Sequence, residues 1–248
     1  LWEKIGVVVN GRYEQLNTNI LQIENEYYST VRPKQVLQGL EKPVLALARR
    51  GVRYIELRSL DVNAYDPLGV SAGQLNFLEA FLLFCLFQDS PPISVQEQRE
   101  IDQNQGGVAH RGRDPSLYLL RQGREIKLRQ WAGDLCNAMS GICEILDGHD
   151  PEKPYSRTLR LQLEKIGHPD RTPSARMLAE MRNNGEGFFQ FAQRLSLQHH
   201  NYFSGISISA EREAFFRKQA EISLSGQAEL ESRPQVSFEQ FLRDYFAQ

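Results

Sequence analysis

Cysteine is scarce in this chain of 248 residues: Cys85, Cys136 and Cys143 are the whole supply. They form no CxxC pair and, being three, cannot all pair with one another. A disulfide scaffold is excluded, and buried thiols in a reducing compartment are expected, with Cys136 and Cys143 seven apart on one helix. A cytoplasmic protein is the reading that follows. The five histidines show no metal-ligand spacing such as HExxH, and the adjacent His199-His200 pair reads as the cap of a helix end. Long hydrophobic runs are missing too. The most apolar one, residues 77–87, is broken by Glu79 and falls well short of the roughly 20 residues of a membrane span. With 29 basic against 31 acidic residues the net charge is -2, and no Lys/Arg run offsets it, so neither nucleic acid nor a membrane is expected as partner. GxxxxGK[ST], GxGxxG after a strand, and GxSxG are all absent, which excludes a P-loop, a dinucleotide fold and a hydrolase elbow. The opening Leu1-Trp-Glu-Lys lacks the charged start and apolar core of a secretory leader. The chain opens without Met, directly in an expected strand, and the later part of a longer protein is expected.

What is present divides near residue 70. Residues 1–70 read as β-rich and residues 71–248 as helical, with no repeat, low-complexity tract or evident linker between them. Residues 5–9 suggest a strand, Asn10-Gly11 a tight hairpin, and residues 20–28 a longer strand ended by Arg32-Pro33-Lys34. Residues 42–50 suit a short helix opened by Pro43 and stopped by Gly51, followed by a strand over 54–62 and a turn at Asp66-Pro67-Leu-Gly69. Ser71 then caps a helix to about Gln88, and residues 94–103 form a short polar one before a loop over 105–113. An apolar stripe at Leu128, Trp131, Leu135, Met139, Ile142 and Leu146 predicts a single helix over 124–146. Further helices are expected over 156–166, from Thr172-Pro173, from Ser209 to about Leu230, and after the capping box Ser237-Phe-Glu-Gln240. Sheet first and helices afterwards is the pattern of an α+β fold.

Chemistry concentrates in two stretches, Ile20-Leu-Gln-Ile-Glu-Asn-Glu-Tyr-Tyr28 and Tyr54-Ile-Glu-Leu-Arg-Ser-Leu-Asp61. Alternation in an extended chain puts Tyr54, Glu56 and Arg58 on one face, with Glu56 and Arg58 about 7 Å apart. A carboxylate beside a guanidinium suits a metal ligand next to a phosphate clamp. The competing account is a solvated strand face carrying a weak surface pair. Arg111-Gly-Arg113 could contact an anion but reads more simply as solvated loop. Phe188, Phe189, Phe191, Phe215 and Phe216, at helical spacing, are expected in the core.

The wording of the two stretches shifts that balance. Leu21-Gln-Ile-Glu-Asn-Glu-Tyr-Tyr28, Arg32-Pro-Lys34, Tyr54-Ile-Glu-Leu-Arg-Ser-Leu-Asp61-Val-Asn63, Pro67 and Gly69-Val70 together resemble the proteobacterial type of glutamate–cysteine ligase. Weaker similarity runs on through residues 75–85, Asn104, Gly112-Arg113 and Thr172-Pro-Ser-Ala-Arg176, so the likeness covers the chain but only the later half of a typical member. The resemblance implies a glutamine-synthetase-like fold, in which an antiparallel sheet forms a funnel for ATP, two amino acids and divalent cations. It implies ATP-dependent joining of the glutamate γ-carboxylate to the cysteine amine through a γ-glutamyl phosphate, the first step of glutathione synthesis. Carried over by motif, Glu56 is a Mg²⁺ (or Mn²⁺) ligand, Arg58 is the catalytic residue that reaches the transferred phosphoryl group of ATP, and Tyr28 lines the cysteine pocket. Glu24 and Glu26 are expected on Tyr28's strand face, where they could join the cation site. Most of the family's acidic metal ligands and a histidine lie in an earlier segment that this chain lacks, so it is expected to be incomplete by itself. A γ-glutamyl ligase using another amine, and an inactive fragment serving as scaffold, are the alternatives.

Overall fold

Asn10 (φ 52°) and Gly11 (φ 77°) both take positive φ, as the two central residues of a type I′ turn must. In the computed structural model, which describes residues 2–248, they join strands β1 (Val8–Val9) and β2 (Arg12–Tyr13). Ahead of them lies a single helical turn, α1 (Trp2–Ile5), and Gly6 at φ 82° delays pairing until Val8, so the strand expected from residue 5 is shorter.

The strand expected over 20–28 does not form. Side chains there take the backbone groups that a ladder would need: the Leu16 amide donates to Gln22 Oε1, the Gln22 amide to Glu26 Oε2, and Asn17 Nδ2 to the Gln22 carbonyl. Local bonds of this kind favour turns over sheet, and the stretch becomes a series of bends with one 3₁₀ turn over Glu24–Glu26. Extended pairing begins instead at β3 (Val31–Lys34). Arg32-Pro33-Lys34 is therefore the strand itself and not its end. A ribbon of two strands consists only of edges, where the missing proline N–H is tolerated. Helix α2 (Pro43–Arg50) opens on proline and stops at Gly51, φ 71°. β4 (Tyr54–Leu57) then runs antiparallel to β3, with Lys34 opposite Tyr54 and Arg32 opposite Glu56.

From here the chain is mainly helical. α3 (Ala72–Leu86) carries a complete capping box, Ser71 accepting from the Gln74 amide while Gln74 Oε1 accepts from the Ser71 amide. α4 (Val95–Arg111) is longer than expected and absorbs most of the supposed loop over 105–113. Its polar residues hold a hairpin that the helical stripe had hidden, β5 (Tyr118–Arg121) and β6 (Arg124–Lys127), turning at Gln122 (φ 53°) and Gly123 (φ 76°). Asn104 mimics a neighbouring strand, donating to the Leu120 carbonyl and accepting from its amide, and buried Glu100 accepts from the Gly123 amide. Gly112 is the C-cap of α4, where a Cβ would sit 2.6 Å from the Val108 carbonyl oxygen, so a larger residue would force a shift. The helix expected over 124–146 is consequently strand and then two helices, α5 (Leu128–Ala138) and α6 (Ser140–Asp147). Beyond follow α7 (Pro154–Gly167), α8 (Pro173–Asn184), α9 (Phe188–Ser204), α10 (Ala210–Ser232) and α11 (Phe238–Phe246). The α+β class holds.

Contacts divide the chain into two compact units, Leu1–Asp61 with Ser207–Gln248, and Val62–Ile206. The second unit carries the main core, where Ala80 and Phe84 of α3 meet Cys136, Met139, Cys143 and Leu159 of the helices that follow. Both cysteines are free and buried, on two helices rather than one. Asp147 is buried and accepts from the Tyr155 and Ser156 amides at the start of α7. Among the five phenylalanines expected inside, only Phe191 is buried; Phe188, Phe189, Phe215 and Phe216 are exposed. His199 and His200 lie within α9 and do not cap it, and His199 Nε2 sits 2.9 Å from the Ala64 carbonyl, to which it donates. No helix among the described residues is long and apolar enough to cross a membrane.

Candidate functional site

The β3–β4 register decides which side chains meet. Partners sum along the ladder so that Glu56 faces Arg32 directly and has Lys34 as its diagonal neighbour. Beyond the last paired residue, the Arg58 amide still donates to the Thr30 carbonyl, which keeps Arg58 on the face of Glu56. Arg58 Nε donates to Glu56 Oε1 at 2.7 Å, and Lys34 Nζ lies 3.1 Å from Glu56 Oε2. The Arg58 guanidinium stands 4.8 Å from the centre of the Tyr28 ring. Tyr28, Glu56 and Arg58, the three residues singled out from the sequence, thus form one continuous array.

Lys34 is the member that sequence reasoning passed over, although it stood in the quoted Arg32-Pro-Lys34 string. Its signal was the strand pairing itself, hidden because Pro33 reads as a terminator. Glu24 and Glu26 fall outside the array, since without a strand over 20–28 they share no face with Tyr28. Glu24 Oε2 instead accepts from the Val44 amide at the start of α2.

Electrostatically the array is a carboxylate between two cations. The Arg58 hydrogen bond first, and the Lys34 one second, hold Glu56 below the usual carboxylate range, and Glu56 in turn pushes Arg58 further up. All three are partly open, with side-chain exposures of 33% for Glu56, 25% for Arg58 and 28% for Lys34, while Tyr28 is largely exposed. Such a face can receive a ligand without first being uncovered. Arginine offers a planar fork to phosphate oxygens. Each Glu56 oxygen accepts one of these hydrogen bonds, and a carboxylate has about four acceptor positions, so about two remain for a cation. Oxygen is what a hard divalent ion requires, and magnesium commonly takes one or two carboxylates and completes its shell with phosphates and water. Among the described residues no three His, Cys, Asp or Glu side chains gather tightly enough to hold a metal by themselves.

Beside the array opens a cleft of about 970 Å³, lined by Tyr27, Arg32, Lys34, Lys42, Tyr54 and Tyr245 among others. Lys34 belongs to both, so a molecule in the cleft would meet the same ammonium group that holds Glu56. Arg111 and Arg113, the other candidate anion contacts, are exposed and belong to the second unit.

Comparison with known proteins bears on what this arrangement belongs to. Residues 1–108 match the family model described as glutamate-cysteine ligase. The glutamate–cysteine ligase of Pseudomonas paraeruginosa is 42% identical over 246 residues, which is 99% of this chain and 46% of that protein. That of Janthinobacterium sp. is 40% identical over 244 residues, 98% of this chain and 46% of the relative. The crystal structure of glutamate–cysteine ligase from Francisella tularensis in complex with AMP superposes with a TM-score of 0.88 at 31% identity, covering 99% of this chain and 49% of that one. The chain spans about half the length of the curated relatives it matches. In sequence and in fold the chain is similar to the C-terminal half of these glutamate–cysteine ligases.

Proposed function

We propose that this chain supplies part of the active site of an ATP-dependent ligase that joins the γ-carboxylate of glutamate to the amine of cysteine. The observation that carries the reading is the Tyr28–Arg58–Glu56–Lys34 array, which lies within the residues 1–108 that match the family model. The AMP bound by the Francisella tularensis relative supports nucleotide use. In this reading residues 1–70 contribute the reacting side chains and residues 71–248 the helical support.

The chemistry runs in two displacements. A glutamate γ-carboxylate oxygen attacks the γ-phosphorus of ATP, the bond to the β-phosphate oxygen breaks, and ADP leaves. The cysteine amine then attacks the acyl carbon, loses a proton, and releases inorganic phosphate as the amide forms. Little covalent work falls to the protein, so positioning and charge stabilisation dominate. Arg58 contacts the phosphoryl oxygens, where charge spreads as ADP departs. Glu56 orients that guanidinium through the 2.7 Å bond and offers a free acceptor position to a divalent cation. Magnesium, or manganese in its place, would neutralise phosphate charge and align the two phosphates. Tyr28 supports Arg58 with its ring face and presents its hydroxyl to the acceptor amino acid. Three free thiols suit a reducing cytoplasmic setting.

A chimera decides the reading: this chain in place of the matching half of the Pseudomonas paraeruginosa enzyme, assayed for Mg²⁺-dependent ADP release. Release that requires both glutamate and cysteine is the expected result. Release that needs glutamate but accepts another amine would reassign the acceptor, and a folded chimera that releases no ADP would overturn the proposal.

A further inference from the structure

The second unit holds a cleft with no part in the chemistry above. It measures about 450 Å³ and lies between α3, α5 and α7 and the start of α8. Phe77 and Phe81 of α3, Leu135 of α5 and Met139 line it as apolar wall, the two phenylalanine rings lying nearly parallel at 6.1 Å. That size is within the ordinary range for a small-molecule pocket, and such pockets pair apolar walls with a few placed polar groups.

The polar groups here are of one sign. Lys165 of α7 and Arg129 of α5 both line the cleft, and no Asp or Glu does. Neither cation forms an ion pair among the described residues, whereas ten pairs form elsewhere. Lys165 has only the amide oxygen of Gln162, at 3.2 Å. Burial, and then the charge of Arg176, hold its pKa below the usual lysine range. Arg129 stands in the first turn of α5, the positive end of the helix, where a cation is opposed by the backbone dipoles. Two half-buried cations without a carboxylate partner thus stand at an apolar wall, and a bound anion would satisfy both.

The lining narrows the class of anion. An amino-acid zwitterion would need an acidic group for its ammonium, and the cleft offers none, which sets it apart from the glutamate and cysteine of the proposed reaction. A bare phosphate dianion has no apolar body to set against Phe77, Phe81, Leu135 and Met139. A single carboxylate matches two cations, and the wall asks for hydrocarbon. We propose that this cleft is a binding site for a small amphiphilic carboxylate, its head held by Lys165 and Arg129 and its apolar body against Phe77, Phe81, Leu135 and Met139.

Octanoate is the probe, titrated calorimetrically into the 248-residue chain, with octanol as its uncharged counterpart. Saturable one-to-one binding of octanoate is expected, with octanol weaker by about tenfold or more, the loss of a charge-assisted hydrogen bond. Lys165→Gln and Arg129→Gln should each weaken octanoate by a similar factor while Lys165→Arg retains it, circular dichroism confirming that each variant is folded. Ala132→Phe, which places a ring in the cleft, should abolish binding. Octanol binding as tightly as octanoate, or both glutamine variants binding like the wild type, would overturn the proposal. Displacement of octanoate by AMP would overturn it as well, by assigning the cleft to the nucleotide. None of these outcomes depends on the ligase reading, which rests on residues of the other unit.

Discussion

The helical cluster around Met139 and the β3–β4 ribbon are held together by opposite means. In the cluster, Met139, Cys143 and Ala80 have at most 1% of their surface exposed, and the helices interlock through apolar side chains. In the ribbon, Val31 and Ile55 remain 45% and 42% exposed, and on the other face the contact that crosses between strands is the Lys34–Glu56 ion pair. A two-stranded ribbon is marginal by itself in water, and partly open ion pairs add little to stability. The ribbon's charges are therefore poorly explained as structural glue and well explained as a surface that meets a ligand. The cluster's side chains are the reverse, important to stability and without a part in the proposed chemistry.

The largest effect that could break this contrast is expected at Arg58. In the chimera with the Pseudomonas paraeruginosa half, Arg58→Ala should lower kcat by about 10²–10³, the loss typical of one donor to a developing oxyanion. Arg58→Lys keeps the charge without the fork and should fall between that variant and the wild type. Neither should move the melting temperature measurably. Wild-type kcat in Arg58→Ala would return the ribbon to ordinary surface. Met139→Ala is the complementary variant. Emptying a site with no exposed surface should cost about 2–5 kcal/mol in chemical denaturation. A loss below 1 kcal/mol would mean that the cluster is far looser than its burial implies.

Smaller, and sharper in its dependence on pH, is the effect expected at Asp147. Burial alone would raise its pKa, but the hydrogen bonds from Ser156 and Tyr155 overcome this and leave it lowered. A depressed folded-state pKa means stability that is present above the unfolded value, near 3.9, and is lost as pH falls through the folded one. Asp147→Asn should therefore be less stable than the wild type at pH 7, with the gap closing below about pH 4. A gap unchanged down to pH 2 would show that the carboxylate's charge contributes nothing there.

At Glu56 the expected change is in metal dependence. Glu56→Gln preserves shape but removes the charge that a hard cation seeks. The chimera should then need several-fold more Mg²⁺ for half-maximal rate and recover in part at high metal. An unaltered Mg²⁺ curve would leave Glu56 only the task of orienting Arg58.

Much of this was legible in the sequence, and unevenly so. Helix starts at Ser71, Ser94, Ser209 and Ser237 were readable because each serine accepts from an amide three residues on, a wholly local interaction. Hairpins were readable where two residues announce them, at Asn10-Gly11, and missed at Gln122-Gly123, where the strand β6 continued a helical stripe. The 20–28 strand failed because alternation cannot reveal that Gln22, Asn17 and Glu26 consume backbone groups locally. At the site, Glu56 and Arg58 share a face by the two-residue period alone, so periodicity placed them. Their connection to Lys34 and Tyr28 depends on the β3 register, which a single sequence does not contain.

The smallest effect, and the one that most refines the comparison, is expected at Tyr28. Its ring lies against Arg58 and its hydroxyl is the group proposed to reach the acceptor amino acid. Phenylalanine keeps a ring face for the guanidinium and loses only the weaker hydroxyl interaction that Tyr28 also makes with Arg58. Tyr28→Phe in the chimera therefore separates the two roles. If the hydroxyl bonds cysteine equally in ground and transition states, the KM for cysteine should rise by about two- to tenfold, one hydrogen bond's worth, with kcat and the KM for ATP unchanged. Tyr28→Ala removes the ring too and should add a fall in kcat, because Arg58 loses the surface that fixes it. Equal increases in both KM values for Tyr28→Phe would show that Tyr28 acts through Arg58 alone, as a prop on the ribbon and not as a contact for substrate.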